Sequence, residues 1–225
     1  MESIEAFIDR LPKVELHLHL VGSASVPTVL ELRRRHPDGA GVPSSAAELA
    51  GIEQARPRFT EAFRDVFAAA IAAGLHSVPH AGEMSGPETI WEAVDGLRAE
   101  RIGHGISCLA DPDLVARLRA DQIPLEVCPT SNVCTRQVAS LAGHPLPRML
   151  AGGLFVTLNS DDPPMFGTTL TQEYRRAASV LGLSRAQLAG LAASGVRASF
   201  LEPDAKQTLL AEIAATTSRP GSMAS

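Results

Sequence analysis

The sequence contains few cysteines and no long apolar run, and both scarcities exclude whole classes of protein. Cys108, Cys128 and Cys134 show no C-x-x-C spacing, which argues against a disulfide framework or a cysteine zinc site and favours reduced thiols. No apolar run approaches the roughly 18 residues of a membrane span, and no basic region followed by an apolar core marks a signal peptide. These features predict a cytoplasmic protein without a membrane partner.

Positive charge is also sparse, since 20 Lys and Arg stand against 25 Asp and Glu, giving a formal net charge of -5. Without a basic block, nucleic acid is not an expected partner. Apolar residues, in contrast, make up 45% of the 225 residues, which is enough to bury a sizeable core and excludes global disorder. The expected ligand is a small molecule.

From Leu75 onward, short apolar runs that end in polar residues alternate with helical stretches of about three turns. The runs end at His80, His104, Cys128 and Asn159. Regular alternation of this kind is typical of an α/β fold with a parallel sheet. In barrels built from such units, the carboxyl ends of the strands carry the active site.

An earlier segment, residues 14–20, alternates polar and apolar residues with a period of two. This pattern predicts a strand with Glu15, His17 and His19 on one face. Residues 36–57 show no strand pattern, so the sequence predicts about five parallel strands. Helices are predicted over residues 26–35, 60–73 and 184–200, and a disordered tail over residues 215–225.

Two histidines at i and i+2 on a strand point the same way and can share one metal ion if further ligands arrive from elsewhere. His17 and His19 alone are weak evidence for such a site. His80, His104 and Asp161 strengthen it, because each lies at or just past the end of a separate strand. Three other histidines lack this placement and are interpreted as structural or solvated: His36, His76 and His144.

Five segments then carry a resemblance to a known family. They begin at Pro12, His80, Ile102, Glu126 and Asn159 and read PKVELHLHLVG, HAGE, IGHG, EVCPTSN and NSDDP. In this order they resemble the signature segments of the adenosine deaminase family, within the metal-dependent amidohydrolase superfamily. The resemblance covers residues 10–40 and about 49–205, and it implies a TIM-barrel-like (β/α) fold.

The resemblance implies one zinc ion per chain, with an open position for water. The family's metal ligands fall on His17, His19, His80 and Asp161. It further implies that His104 and Asp161 orient the water and accept its proton, while Glu83 protonates purine nitrogen N1. The implied reaction is hydrolytic deamination of a 6-aminopurine to the 6-oxo purine and ammonia.

The resemblance also implies the residues around the substrate. Asp162 is expected to bind purine N7, the backbone N–H of Gly51 to bind N3, and His19 to line the same pocket. Asp161 and Asp162 follow a strand and are equally suited to cap a helix, so both interpretations remain open.

Other residues of these segments are given structural interpretations. Cys128 and Asn132 are expected to shape the turn after their strand. Glu15 is interpreted as a barrel-floor residue or, less favourably, as a partner of the histidines on its face.

The chain departs from the family by lacking about three βα units between His19 and His80, with an apparent internal break at residues 42–48. Residues 1–214 are therefore interpreted as one incomplete hydrolase domain. An incomplete barrel leaves sheet edges unpaired, which predicts self-association and an open pocket. The alternative function is a truncated paralogue that binds metal or a partner chain and has weak or no activity.

A second departure is Val21, where adenosine-preferring relatives carry an acidic residue for the ribose 5′-hydroxyl. Valine cannot accept that hydrogen bond. The sequence therefore favours a 5′-modified adenosine such as aminodeoxyfutalosine, or free adenine, over plain adenosine.

Overall fold

A computed structural model describes the chain over residues 2–19 and 61–218. The elements in chain order are α1 (Ile4–Arg10), α2 (Glu61–Ala72), β1 (His80–Ala81), α3 (Pro87–Trp91), β2 (Ile102–His104), α4 (Pro112–Asp121), β3 (Leu125–Val127), α5 (Pro129–Cys134), α6 (Leu146–Ala151), β4 (Val156–Leu158), α7 (Pro163–Phe166), α8 (Leu170–Ser179), α9 (Arg185–Ala198) and α10 (Pro203–Ser218). A π-helical turn at Glu92–Gly96 extends α3, and short 3-10 turns lie at Ile106–Ala110 and Leu141–Gly143.

The four strands form one parallel sheet in the order β1-β2-β3-β4. Strands β2, β3 and β4 are fully buried, and Ala81 of β1 is buried too, because the connecting helices cover the sheet, as parallel sheets require. The ladder continues beyond the short strands; for example, the Gly103 N–H donates to the Pro79 carbonyl at 2.9 Å, and the Leu125 N–H donates to the Phe155 carbonyl at 2.8 Å. The four runs predicted from Leu75 onward are therefore confirmed as parallel strands.

The predicted strand over residues 14–20, of which residues 14–19 are described, pairs only through a single bridge. Within residues 14–19, Leu18 forms an isolated bridge to Asp161. The backbone N–H groups of Leu16 and His17 donate instead to Oδ1 of Asn159, at 2.9 and 3.3 Å. Two backbone hydrogen bonds form the bridge, from the His19 N–H to the Asp161 carbonyl at 3.2 Å and from the Asp161 N–H to the His17 carbonyl at 3.1 Å. The described part of the chain therefore has a four-stranded sheet with this segment bridged in parallel beside β4.

Two of the predicted helices are confirmed. The helix predicted over 60–73 appears as α2, and the one over 184–200 appears as α9, opened by a capping box between Ser184 and Gln187. Helix α10 then continues to Ser218, so residues 215–218 of the predicted tail are helical. The predicted helix over 26–35 and the break at 42–48 lie outside the described residues.

The core lies between the sheet and its helices. Ile102 and Leu125 of the sheet, Leu118 of α4 and Leu188 of α9 are fully buried, and burying each such side chain contributes about 1.5–3 kcal/mol. Helix α1 was not predicted, but it adds buried Phe7 and Ile8 to this core. Within the described ranges, no helix has both the length and the apolar character needed to cross a membrane.

Helix α9 also positions the histidine segment. A Cβ atom at Gly195 would lie 3.1 Å from the Val14 carbonyl oxygen, so the absent side chain lets this segment approach α9 closely. On its other side, the Ser160 N–H donates to Oε1 of Glu15 at 2.8 Å. Residues 14–19 are thereby held against the carboxyl end of β4.

Candidate metal and catalytic site

Side chains from three parts of the chain converge at the carboxyl edge of the sheet. The Nε2 atoms of His17 and His19 lie 3.2 Å apart, and Nε2 of His80 lies 3.0 Å from each of them. Oδ1 of Asp161 lies 3.6 Å from Nε2 of His17 and 3.2 Å from Nε2 of His19. The four predicted metal ligands therefore meet in space, although 61 positions of the chain separate His19 from His80.

These separations fit a tetrahedral zinc ion. Bonds of about 2.0–2.1 Å from zinc to nitrogen place the ligand atoms about 3.3 Å apart, within the 3.0–3.6 Å range of the separations given above. Oδ1 of Asp161 is buried and accepts no hydrogen bond from the described part of the chain. Three imidazoles and one such carboxylate form a suitable donor set for zinc.

Glu126 of β3 orients His17. Nδ1 of His17 donates to Oε2 of Glu126 at 3.1 Å, and Nε of Arg101 donates to Oε1 of the same carboxylate at 2.6 Å. Arg101 also donates to the Ala198 carbonyl at 3.0 Å, which fixes its own position. With the proton on Nδ1, the lone pair on Nε2 of His17 faces the other ligands.

Charge at the site favours a cation beside His17. Burial alone lowers the pKa of His17, but its interactions with Asp161 and Glu126 outweigh burial and raise the pKa to about 9. Burial raises the pKa of Asp161, whereas its interactions with His17 and His104 lower that pKa far more, so the carboxyl group is ionised. The two carboxylates therefore stabilise positive charge where the histidine nitrogens converge.

Glu126 and Arg101 were missed by sequence reasoning. The available signal was a carboxylate within the buried Leu-Glu-Val strand, because a charge in such a strand needs a partner. Ser131 was also missed as a site residue, yet its hydroxyl donates to Oδ2 of Asp161 at 2.7 Å.

The three predicted catalytic residues lie together. Nε2 of His104 is 3.6 Å from Oε2 of Glu83 and 3.7 Å from Oδ2 of Asp161, and all three side chains are at least 93% buried. His104 and Asp161 adopt φ values of +64° and +66°. Such left-handed conformations are strained for residues other than glycine and concentrate at functional sites.

Asp162 and Cys128 border this group. Asp162 is the N-cap residue of α7, but its side chain makes no capping hydrogen bond, so the capping interpretation does not explain the buried carboxylate. Burial, followed by the negative charge of Asp161, raises the pKa of Cys128, which keeps the thiol protonated. Asn132 is fully buried, and its Nδ2 lies 3.1 Å from Nδ1 of His104.

The other residues considered in the sequence analysis either contact different partners or lie outside the described residues. Glu15 bonds to Ser160 rather than to a histidine of the site. His76 lies at the surface with Nδ1 2.9 Å from Oε2 of Glu100, whereas His144 is buried against Asn132. Gly51, Val21 and His36 lie outside the described residues.

A cavity of about 210 Å³ lies beside the ligands. It is lined by Leu16, His17, Leu18, His19, Val78, His80 and Glu126. Over the described ranges, no backbone hydrogen bond connects residues 14–19 to β1. Among the described residues, this cavity therefore lies between the two segments and next to the histidine rings.

The chain is similar to known deaminases. A family model described as adenosine deaminase matches residues 40–216. The aminodeoxyfutalosine deaminase of Streptomyces coelicolor is 56% identical over 162 residues, which cover 72% of this chain and 41% of that protein. The chain thus matches less than half the length of this curated relative.

Solved structures agree on the fold. The adenine deaminase of Arthrobacter aurescens shows 38% identity and a TM-score of 0.69, covering 86% of this chain and 58% of its own. An amidohydrolase from Burkholderia ambifaria with bound zinc shows a TM-score of 0.80 at 20% identity, covering 96% of this chain and 94% of that chain. The second likeness establishes the fold alone. The matches confirm the family resemblance and the incomplete TIM-barrel-like class.

Proposed function

Because the chain belongs to the adenosine deaminase family, we propose that it catalyses the hydrolytic deamination of a 6-aminopurine. Water replaces the exocyclic amine at C6, and the products are the 6-oxo purine and ammonia. One observation carries this proposal: the three ligand imidazoles and Asp161 converge beside the buried pair of Glu83 and His104. This places a metal-ligand set next to groups able to move protons.

The proposed cofactor is one zinc ion per chain. Its ligands would be His17, His19, His80 and Asp161. When bound, zinc supplies a water whose pKa is lowered toward neutrality and which is therefore a strong nucleophile. Glu126 supports this role by keeping Nε2 of His17 available as a ligand atom.

Buried side chains of the site are proposed to carry out the proton transfers. His104 and Asp161, whose Nε2 and Oδ2 lie 3.7 Å apart, are proposed to orient the attacking water and to take up its proton. Glu83 follows His80 on the loop after β1 and is proposed to protonate ring nitrogen N1, which draws electrons away from C6. Asp162 is proposed to bind N7, and the backbone N–H of Gly51 to bind N3.

The proposed substrate is a purine nucleoside modified at the 5′ position. Val21 supports this, since it cannot bind a free ribose 5′-hydroxyl as an acidic residue does. The similar proteins named above include an aminodeoxyfutalosine deaminase and an adenine deaminase. Aminodeoxyfutalosine is therefore the first substrate to assay and free adenine the second.

The test measures metal and turnover on the same purified chain. Elemental analysis should find one zinc ion per chain, and the 6-aminopurine absorbance of aminodeoxyfutalosine should decrease on incubation, with adenine and adenosine assayed in parallel. His17→Ala serves as the metal-free control and should show no turnover. Full zinc content without turnover of any of the three compounds would contradict the proposed function.

The alternative, a metal-binding or partner-binding paralogue without turnover, is supported by the missing pairing, within the described ranges, on one side of the site. The cavity between residues 16–19 and β1 is not bridged by backbone pairing among the described residues. Leu18 and Leu75 are also 48% and 63% exposed, which agrees with the proposed self-association. Light scattering distinguishes these states, because a monodisperse active monomer would exclude this alternative.

The cytoplasm is the proposed location. Cys108 and Cys128 are buried thiols outside any disulfide, the state that a reducing compartment maintains. Fractionation of cells that express the full chain, followed by immunodetection, tests this location.

A further inference from the structure

A chain of hydrogen bonds runs from a backbone N–H group through two buried side chains to His104. The N–H of Leu146 donates to Nδ1 of His144 at 3.1 Å. Nε2 of His144 lies 3.2 Å from Oδ1 of Asn132, and Nδ2 of Asn132 lies 3.1 Å from Nδ1 of His104. His144 is 4% exposed and Asn132 is fully buried, so water competes little for these bonds.

The backbone N–H of Leu146 fixes the donor and acceptor of every hydrogen bond in this series, because an N–H group can only donate. Nδ1 of His144 therefore accepts, and the proton of its neutral ring lies on Nε2. Burial lowers the pKa of His144 to about 4, so the ring is neutral near pH 7 and has a single N–H. That N–H donates to the Asn132 carbonyl oxygen, and the Asn132 amide N–H donates in turn to Nδ1 of His104.

We propose that His144, acting through Asn132, is a positioning residue that holds His104 in the tautomer with its proton on Nε2. This nitrogen faces the site, 3.6 Å from Oε2 of Glu83 and 3.7 Å from Oδ2 of Asp161. In this tautomer, His104 donates a hydrogen bond from Nε2 to the oxygen that attacks C6, and the proton of the water passes to Asp161. The catalytic consequence rests on the proposed function, whereas the tautomer does not.

A merely structural role predicts a different result. If His144 and Asn132 only shaped the turn after β3, replacing them would change stability but leave the ring tautomer of His104 as it is. Asn132→Asp separates the two cases, because a carboxylate at this position accepts a hydrogen bond from Nδ1 of His104 instead of donating one.

The first test is the tautomer of His104 in the zinc-loaded full chain. Long-range ¹H–¹⁵N correlation spectra of histidine-labelled protein report it, with His104→Gln used for assignment. We expect the proton on Nε2 in the unaltered chain and on Nδ1 in Asn132→Asp, with equal zinc content in both. A proton on Nδ1 in the unaltered chain, or an unchanged tautomer in Asn132→Asp, overturns the proposal.

The second test is a rescue experiment in the deaminase assay. His144→Leu should lower kcat by about 10²-fold or more while KM changes little, because a donor to the attacking oxygen is misplaced. His144→Gln should recover most of the loss, since its side-chain amide can donate to Asn132. Equal rates for the unaltered chain and His144→Leu overturn the positioning role. An inactive unaltered chain contradicts the proposed function, and the spectra still decide the tautomer.

Discussion

The carboxylate of Glu126 lies 3.1 Å from Nδ1 of His17, and this bond determines which nitrogen of His17 faces the other ligands. Partners of this kind commonly change metal affinity 10- to 100-fold. Glu126→Gln replaces the charged acceptor with a neutral amide, so its zinc affinity should fall about 10- to 100-fold. Competition with a chelator measures the affinity.

The matched control for this prediction is Glu100→Gln. Glu100 also pairs with a histidine, since Nδ1 of His76 lies 2.9 Å from its Oε2, but this pair is about half exposed. The Glu100 variant should keep its zinc affinity. Equal losses of zinc affinity in the two variants would show that Glu126→Gln does not act through His17.

Removal of a proposed ligand should have a larger effect. His17→Ala deletes an imidazole that lies within 3.2 Å of two other histidine nitrogens, and it should abolish stoichiometric zinc binding. His76→Ala removes a surface histidine and should leave zinc binding intact. Elemental analysis after dialysis measures both proteins, and equal zinc contents would remove His17 from the ligand set.

The proposed acid can be separated from the metal site. Glu83→Gln keeps the size of the side chain but cannot donate a carboxyl proton, so the rate should fall about 10²-fold or more with zinc content unchanged. Glu88→Gln is the control, because Glu88 bonds the Gly86 N–H at the surface. A near-normal rate for Glu83→Gln would mean that another group protonates the purine ring.

The backbone of β2 allows the histidines to pack closely. A Cβ atom at Gly103 would lie 2.9 Å from Cε1 of His17 and 3.2 Å from Cδ2 of His80. Gly103→Ala should therefore displace both rings and weaken zinc binding. At Gly190 in α9 a Cβ atom meets nothing within 4 Å, so Gly190→Ala should stabilise the chain by about 0.5–1 kcal/mol and leave zinc binding unchanged. Chelator competition measures the zinc affinity of both variants, and thermal unfolding measures their stability.

The buried ring of His144 should make stability depend on pH. Its folded pKa of about 4 lies below the ordinary 6.5, so stability is present above pH 6.5 and is lost as the pH falls toward 4, because the unfolded chain binds a proton that the folded chain resists. Between pH 7.5 and 5 this loss is about 2 kcal/mol. His144→Gln cannot titrate and should lose about 2 kcal/mol less over this range. Urea unfolding at both pH values measures the difference, and identical losses contradict the prediction.

Local pattern was sufficient to predict the sheet from β1 to β4. Each run is apolar because both faces of a parallel strand are buried, and each ends in polar residues because the carboxyl ends meet at one edge. The positions of His80, His104 and Asp161 followed from that rule. Alternation in residues 14–19 did not predict how little of a ladder forms, since only Leu18 is bridged to Asp161 and the Asn159 side chain accepts the hydrogen bonds from Leu16 and His17.

The sequence by itself determined the parallel α/β architecture, the family and the set of residues proposed to bind zinc. Only the tertiary structure decided how those residues are oriented. His17 meets Glu126 across 109 positions of the chain, and Asn132 meets His104 across 28 and His144 across 12. These bonds join different elements, so no local periodicity encodes them. They form because buried polar groups must find partners wherever packing brings donors and acceptors together.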